Sequence, residues 1–287
     1  EALAGERGRR ELDLYGPPRR HLIVTATPLF ADDRLDGAIA RIGDETERMR
    51  VDAMRRDFVA NVSHELKTPV GAISLLSEAI LDEGDPEVAQ RLLTRVFEES
   101  NRLTRTIEDL IELSRIEGEE LLETESLEVA LVVSDACARV TSAAERSRSS
   151  IQIAIPDGMR IDGDRRQLAS ALANLLDNAL KYSEPESVVE LWARAEGDEA
   201  VLAVRDHGIG IPSRDLERIF ERFYRVDHAR SRQTGGTGLG LAIVRHVVAN
   251  HGGTVGVESR LGEGTTFTLR LPGVLDPGAP RHLEVAS

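Results

Sequence analysis

The sequence predicts an α+β multidomain protein, in which an antiparallel two-helix hairpin dimerises into a four-helix bundle and an α/β sandwich follows. Three observations predict this fold class. Apolar residues recur at helical spacing over residues 44–116, with one interruption of turn-forming residues at Glu83–Pro86. Residues 10–43 are instead typical of short strands. Beyond residue 125, β-rich stretches come in adjacent pairs late in the chain, which favours a sandwich over a doubly wound sheet.

Length and composition limit the function. The chain has 287 residues, which suggests two domains with part of a third. A net charge of −14 argues against a nucleic-acid-binding surface, because such a surface needs clustered Lys and Arg. The chain has no run of about 18 apolar residues, so we expect no membrane segment in it. It begins with Glu1 rather than Met, so we expect a fragment of a longer protein that could carry a membrane anchor upstream.

We divide the chain into four segments. Residues 1–43 carry the strands "RHLIVTATPLF" and "AIARI" and are too short to bury a core alone. Residues 44–118 form the helical hairpin, and the acidic "EGEELLETE" marks its boundary with the sandwich, residues 119–273. Residues 274–287 are expected to be a flexible tail. Within the sandwich we expect helices near 128–147, 165–182 and 239–251, and strands near 151–155, 188–195, 200–205, 254–259 and 265–271.

The two hairpin helices predict a homodimer. The first runs from Asp44 to about Asp82, or about 57 Å at 1.5 Å per residue. Two antiparallel helices with one apolar stripe each cannot bury both stripes, whereas a dimeric four-helix bundle can. The second helix ends near Ile116, and its heptad-like apolar positions are Leu93, Val96, Phe97, Leu103, Ile107, Leu110 and Leu113.

The stretch "FVANVSHELKTPV" places a histidine on the outer side of the first helix. Phe58, Val62 and Leu66 recur every four positions and share one face. His64 lies two residues from Val62 and from Leu66, which is about 200° around the helix, so it is expected to point to solvent. Pro69 lacks a backbone N–H and crowds the preceding turn, so we expect a kink beside the histidine.

Two motifs of the sandwich combine polar groups with apolar or glycine-rich surroundings. In "NLLDNALKY", Asn174, Asn178 and Lys181 fall on one face of an otherwise apolar helix. Amide oxygens can ligate Mg²⁺ and the lysine can meet a phosphate, but a solvated polar face is an equally good interpretation. In "DHGIGI", Asp206 can accept a hydrogen bond from an exocyclic amine such as that of adenine, and a plain glycine turn is the alternative.

Two further motifs point to an anion. "IFERFYRVD" is amphipathic, and its Arg225 either reaches a terminal phosphate or is solvated. "GGTGLGL" runs into a helix N-terminus, where unpaired N–H groups and the helix dipole favour an anion. It matches neither G-x-G-x-x-G nor G-x-x-x-x-G-K-[ST], which excludes Rossmann and P-loop sites. The polar stretch "HARSRQTGG" between the two motifs suits a mobile lid over a nucleotide.

The ordered set of motifs, joined to the helix with His64, resembles the bacterial sensor histidine kinases of two-component systems. "SHELKTP" is similar to the family's phosphoacceptor box, "NLLDNALKY" to its N box, "FERFYR" to its F box, and "DHGIGI" and "GTGLGL" to its two glycine boxes. The resemblance covers residues 54–272 and implies a phosphoacceptor hairpin followed by an ATPase domain of the gyrase and Hsp90 type. "RRDFVANVSHELKTPVGAISLL" is most like kinases that sense phosphate starvation. Residues 10–46 look similar to the end of a PAS sensor domain.

The resemblance implies a role for each matching residue. His64 matches the acceptor that attacks the γ-phosphate of ATP, and Glu65 the acidic neighbour that orients its ring and takes up the proton. Thr68 matches the residue that positions a hydrolytic water, and Arg225 an arginine near the γ-phosphate. Asn178 matches the ligand of Mg²⁺. The matching nucleotide-binding residues are Asn174, Asn178, Lys181, Tyr182, Asp206, Gly208, Gly210, Gly236, Gly238, Leu239 and Gly240.

The implied function is autophosphorylation of His64 from Mg²⁺–ATP and transfer to an aspartate of a response regulator, with phosphatase activity as well. The implied form is a homodimeric kinase core in the cytoplasm. Two alternatives stay open, a dimeric regulator that acts mainly as a phosphatase and an ATPase without phosphotransfer. The second is disfavoured, because related ATPases carry a glutamate base where Asn174 stands and an amide cannot take a proton. A zinc protease is excluded, because H-E-x-x-H needs a histidine where Thr68 stands. The other histidines, His251 among them, are expected at the surface or in loops.

Overall fold

The structure of the chain is a computed structural model that describes residue 4 and residues 6–32, 34–118, 124–226 and 236–275. It divides into two compact units, Glu1–Lys67 and Thr68–Ser287, and the boundary between them falls inside the first long helix. Each unit is described by itself.

The first unit is an antiparallel three-stranded sheet that leads into a helix. Its strands, in the order β1-β2-β3, are Gly8–Leu14, Arg20–Ala31 and Arg34–Asp44. Helix α1 (Thr46–Leu81) begins beside the start of β2, where the backbone N–H of His21 donates to Thr46 Oγ1 at 2.8 Å. The N–H of Glu45 donates to the carbonyl of His21 at 2.9 Å. The strands predicted within residues 10–43 are therefore confirmed, and β2 is tied to the beginning of α1.

The predicted helical hairpin is present. Helix α1 is continuous through Pro69, which is buried. The expected kink beside it stays a prediction. Helix α2 (Pro86–Glu117) begins with proline at its first position, and the Asp85 carboxylate caps it by accepting from the N–H of Glu87 at 2.8 Å. None of the described helices is both long and apolar enough to cross a membrane.

The predicted α/β sandwich follows. Its seven strands are β4 (Glu125–Glu128), β5 (Ser150–Ala154), β6 (Met159–Gly163), β7 (Val188–Glu196), β8 (Glu199–Asp206), β9 (Thr254–Arg260) and β10 (Gly264–Leu275). They form one sheet in the order β4-β6-β10-β8-β7-β5, and β9 also pairs with β10. Among the strand pairs that the structure describes here, β5–β7 alone is parallel and the others are antiparallel.

Among the described residues three helices cover the sheet, and the central one carries part of the candidate site. They are α3 (Val129–Ser147), α4 (Arg165–Tyr182) and α5 (Gly240–Asn250). Helix α4 packs against α3, α5 and β8, and it buries almost its whole apolar surface. The largest fully buried side chains of this layer and the sheet beneath it include Leu168, Leu172, Leu175, Leu176, Leu191, Leu202, Ile243 and Leu269.

Two strands and the end of a third differ from the expectation. Strands β4 and β6 were not predicted; they are four and five residues long and pair with each other. Strand β6 also pairs with β10, with Gly273 opposite Ile161. This pairing extends β10 to Leu275, so the boundary expected after residue 273 falls inside a strand. The rest of the expected tail, residues 276–287, lies outside the described residues.

His251 differs as well, because its ring is buried rather than at the surface. Its Nε2 accepts from the backbone N–H of Asp164 at 2.9 Å, so Nδ1 carries the hydrogen and donates to the carbonyl of Val247 at 2.7 Å. Asp164 is also the N-cap of α4, and its carboxylate accepts from the N–H of Gln167 at 3.0 Å. The histidine therefore ties the end of α5 to the start of α4.

Candidate functional site

A cavity of about 800 Å³ opens where the polar edge of α4, the loop after β8 and the N-terminus of α5 meet. Its volume lies within the range of about 300–1,000 Å³ that is usual for small-molecule sites. Most of the predicted nucleotide-binding residues contribute to its lining, although they are far apart in sequence. These residues are Asn174, Asn178, Lys181, Tyr182, Asp206, Gly210, Arg225, Gly236, Gly238 and Gly240.

The polar stripe of α4 forms one wall. Asn174, Asp177, Asn178 and Lys181 are half-buried and face the cavity, whereas the apolar residues between them are in the core. Asn174 Nδ2 donates to the carbonyl of Ser170 at 3.2 Å, which fixes the orientation of the amide. The stripe is thus not a fully solvated face but lines the cavity.

Lys181 is paired with a residue that sequence reasoning missed. Its ammonium forms an ion pair with the carboxylate of Asp177, one helical turn earlier, and both side chains are half-buried. The spacing of four residues between opposite charges on one helix was the available signal. The lysine can meet a phosphate, but it would share its charge with this carboxylate.

The carboxyl group of Asp206 lies at the end of β8 and is only 6% exposed. Its Oδ1 accepts from the backbone N–H of Gly208 at 2.9 Å and from that of Thr265 at 3.2 Å. Burial raises the pKa of Asp206, and the two backbone hydrogen bonds oppose that rise. Since both bonds use Oδ1, Oδ2 is the oxygen that can accept from a ligand in the cavity.

The two glycines of "DHGIGI" serve chain packing as well as ligand access. A Cβ on Gly208 would lie 2.2 Å from the carbonyl oxygen of Tyr182. Gly210 has φ +68°, and a Cβ there would lie 2.0 Å from the carbonyl oxygen of Arg260. The loop therefore fits between the end of α4 and the β9–β10 turn only without side chains. Gly210 lines the cavity, whereas Gly208 is not among the described lining residues.

A backbone hydrogen bond joins the F box to the second glycine box, and the residue that donates it has a positive φ. Phe223 has φ +61°, and its N–H donates to the carbonyl of Gly238 at 2.8 Å. Gly238 has φ +74°, and a Cβ there would lie 2.9 Å from the backbone of Phe223. A positive φ at a bulky residue persists only where its surroundings enforce it, which is typical of binding sites. Arg225, two residues later, lines the cavity.

Packing interactions hold the F box in place. The ring of Phe220 is buried and meets Phe267 of β10 edge-on, with centroids 6.3 Å apart. The hydroxyl of Tyr224 donates to Asp215 Oδ1 at 2.7 Å, and the guanidinium of Arg218 lies 4.2 Å from the Tyr224 ring centroid.

Two residues of α2 also line the cavity, and no motif indicated them. They are Arg105 and Asp109. Thr237 Oγ1 donates to Asp109 Oδ2 at 2.6 Å, across 128 residues of sequence. Burial raises the pKa of Asp109 to about 6, and the hydrogen bond from Thr237 opposes that rise.

The remaining predicted residues lie elsewhere. Helix α1 carries His64, Glu65 and Thr68; His64 and Thr68 are exposed, as predicted for the histidine, and Glu65 is half-buried. Leu239 is fully buried in the core below the glycine loop instead of lining the cavity. The expected lid falls mainly on residues 228–235, which lie outside the described residues.

Comparison with known families adds two matches. Residues 54–119 match the His Kinase A (phospho-acceptor) domain. Residues 163–274 match the family of histidine kinase-, DNA gyrase B- and HSP90-like ATPases. The first match contains α2 and most of α1 with His64, and the second contains the four polar residues of α4 and every glycine of the cavity.

Individual proteins are similar over longer stretches. The chain is 49% identical to the sensor-like histidine kinase SenX3 of Mycolicibacterium smegmatis over 251 residues, which is 87% of this chain and 65% of that protein. The chain thus spans about two thirds of the length of this relative. The structure of histidine kinase AdeS of Acinetobacter baumannii is similar with a TM-score of 0.56 and 25% identity, over 73% of this chain and 97% of that one. Histidine kinase ThkA, solved in complex with response regulator protein TrrA, shares the fold with a TM-score of 0.64 and 20% identity, over 92% of this chain and 78% of that one.

Proposed function

Since this chain belongs to the two-component sensor histidine kinases, we propose that it phosphorylates His64 from Mg²⁺–ATP and passes the phosphoryl group to an aspartate of a response regulator. The cavity carries the proposal. It gathers a buried carboxylate, an amide stripe and several cations, Lys181 and Arg225 among them, in a space of nucleotide size. The ATP-binding domain follows from the family match, and the individual residue roles below are proposals.

The two ends of the cavity suit the two ends of a nucleotide. Oδ2 of Asp206 would accept a hydrogen bond from the exocyclic amine of adenine at the buried end. The N-terminus of α5 would hold the phosphates, because its first N–H groups lack intrahelical partners. Lys181 and Arg225 would add positive charge near the phosphates.

Asn178 would hold Mg²⁺ through its side-chain oxygen. The described residues contain no cluster of three or more His, Cys, Asp or Glu side chains suited to a metal. One amide oxygen nevertheless fits Mg²⁺, which usually keeps several waters and binds through substrate phosphates. When bound, the ion would neutralise charge on the phosphates during transfer.

The exposed ring of His64 would be the nucleophile. One ring nitrogen would attack the γ-phosphorus while the bond from that phosphorus to the β,γ-bridging oxygen breaks and ADP leaves. Glu65 would hold the other ring nitrogen and take up the proton. Thr68 would position the water that hydrolyses the phospho-aspartate of the partner. A phosphatase-dominated regulator is thus the second candidate, and Thr68 on α1 favours it.

Two finer assignments belong to the same proposal. ThkA was solved with a response regulator, which supports a partner of that class for this chain. The sequence around His64 supports a kinase that senses phosphate starvation. A reporter of the cognate response regulator should then respond to phosphate limitation in cells with the full-length protein. An equal signal in phosphate-rich and phosphate-poor medium would contradict the assignment.

Labelling with γ-³²P-ATP and Mg²⁺ tests the kinase. The wild type should acquire an acid-labile, alkali-stable label that His64→Gln abolishes and His21→Gln, which removes a histidine of β2, leaves in place. Asn178→Asp should lower labelling about tenfold or more, because it puts a second negative charge beside Asp177 and the phosphates. Asn101→Asp, on the exposed surface of α2, is the matched control. ATP consumption without any protein label would favour the ATPase alternative and overturn the proposal.

A further inference from the structure

One hydroxyl joins the helical hairpin to the glycine loop of the cavity. Thr237 Oγ1 donates to Asp109 Oδ2 at 2.6 Å, and the same oxygen accepts from the backbone N–H of Leu239 at 3.2 Å. Leu239 directly precedes the first residue of α5. The position of α2 and the conformation of the loop at the helix N-terminus are therefore coupled through a single side chain.

Other contacts hold α2 against the same domain. Leu113 and Ile116 of α2 are buried, and the carbonyl of Ile116 accepts from Asn250 Nδ2 at 3.0 Å. Glu117 pairs with Arg222 at 2.5 Å and with His246 at 3.5 Å. Within the described residues, the bond from Thr237 to Asp109 is the member of this set that lies at the cavity wall. Through this bond α2 can act on a bound nucleotide, and Arg105 of the same helix also lines the cavity.

Asp109 brings negative charge to the cavity wall that holds Lys181. The proposed function assigns Lys181 to the phosphates, yet its ammonium is already paired with Asp177. The pKa of Asp109 is raised chiefly by burial and further by the charges of Glu112 and Asp177, while Thr237 and Lys181 lower it. With a pKa of about 6, the carboxyl is mostly ionised at neutral pH. A triphosphate entering here therefore meets the carboxylates of Asp109 and Asp177 beside Lys181, in a cavity that Arg105 and Arg225 also line.

We propose that Asp109 is an inhibitory residue, whose carboxylate holds the Thr237 loop against α2 and repels the nucleotide phosphates, so that nucleotide affinity rises when α2 moves away. The inference rests on the proposed function, because it requires the cavity to bind ATP. Coupling between two sites is reciprocal. Nucleotide binding therefore also weakens the contact between α2 and the loop, which gives the hairpin a direct influence on the ATP site.

Nucleotide affinity of the whole chain tests this inference. ADP binding in Mg²⁺ buffer is measured by calorimetry for the wild type, Asp109→Asn, Thr237→Val and the double variant. Asp109→Asn removes the charge while keeping size, and Thr237→Val removes the hydroxyl while keeping the branched shape. Both single variants should bind ADP about fivefold or more tightly than the wild type. The double variant should gain less than the product of the two gains, because both changes break one contact. Glu108→Gln, an exposed neighbour on α2, should bind as the wild type does.

The outcomes separate this inference from the proposed function. A general loosening of the fold would weaken binding, so tighter binding is not expected of a merely structural residue. If the wild type binds ADP and Asp109→Asn binds it equally or more weakly, the inhibitory role is wrong and the kinase proposal stands. If the wild type binds no adenine nucleotide, both are wrong.

Discussion

Two glycines with nearly the same backbone conformation differ in what surrounds them. Gly197, in the β7–β8 turn, has φ +63°, and no atom lies within 4 Å of an added Cβ. Gly210, at the cavity, has φ +68°, and the carbonyl oxygen of Arg260 would lie 2.0 Å from a Cβ. Comparing the two positions separates two losses of stability, one from a Cβ in the left-handed region and one from a collision between that Cβ and the backbone.

Alanine at these two positions should therefore destabilise the protein to different extents. Gly197→Ala should lower the free energy of unfolding by about 1 kcal/mol, because it only places a Cβ in the left-handed region. Gly210→Ala should lower it by about 3 kcal/mol or more, because the β9–β10 turn must also move. Urea denaturation measures both values. Equal losses in the two variants would show that the turn yields without cost.

The ring of His21 gives a second prediction for a single residue. Its Nδ1 lies 2.7 Å from Asp13 Oδ1 across the β1–β2 pair. The hydrogen bond with Asp13 raises the pKa of His21 above 6.5; burial opposes this, and the charges of Asp13, Glu11 and Glu45 add to it. Because the folded pKa is raised, the pair stabilises the sheet fully below the unfolded pKa. That contribution is lost as pH rises through the folded pKa.

Titration by NMR checks this sign. The pKa of His21 should fall toward its ordinary value of 6.5 in Asp13→Asn, because the largest cause of the rise is removed. An unaltered His21 curve in the variant would mean that Asp13 does not hold the proton on the ring.

Helix α4 could be predicted from the sequence, whereas strands β4 and β6 could not. Helix α4 was predicted with its observed bounds, because an apolar stretch of five turns and a polar stripe are both local features. Strands β4 and β6 were missed because "ESLE" and "MRIDG" are only four and five residues long, too short for a strand pattern to stand out. They are strands only because each pairs with a partner, and β6 also with the distant β10. A local pattern could not have indicated that.

Helix α2 was predicted correctly as an element, but its apolar positions divide into two stripes. One contains Val96, Leu103, Leu110 and Leu113, which are half-buried or buried. The other contains Leu93, Phe97, Ile107 and Ile111, which are exposed. The members of the exposed stripe are spaced by four, ten and four residues, so they repeat over two heptads. The sequence showed that both sets are apolar and could not show which set the chain covers by itself.

At the scale of the molecule, the candidate site was predictable where its chemistry is local. Asn178, Asp206 and Gly238 lie in motifs that predict a nucleotide site, and all three line the cavity. Asp109 and Thr237 meet across 128 residues, and neither lies in a pattern that indicates the other. The sequence therefore predicted what the ATPase domain binds but not that the hairpin contributes to its cavity. Contacts between domains depend on packing, for which one sequence carries no local signal.

The exposed stripe of α2 leads to the prediction that the chain dimerises through it. The side chain of Phe97 is 68% exposed, and a symmetric interface would bury it twice. Each buried phenylalanine contributes about 2 kcal/mol, or about 4 kcal/mol for the two copies, so Phe97→Glu should raise the dimer dissociation constant about a thousandfold. Sedimentation analysis at several concentrations measures the constant. Leu131→Glu, at a residue 45% exposed on α3, is the matched control and should leave it unchanged. Dimers of equal stability in Phe97→Glu would show that this stripe is covered by something other than a second copy.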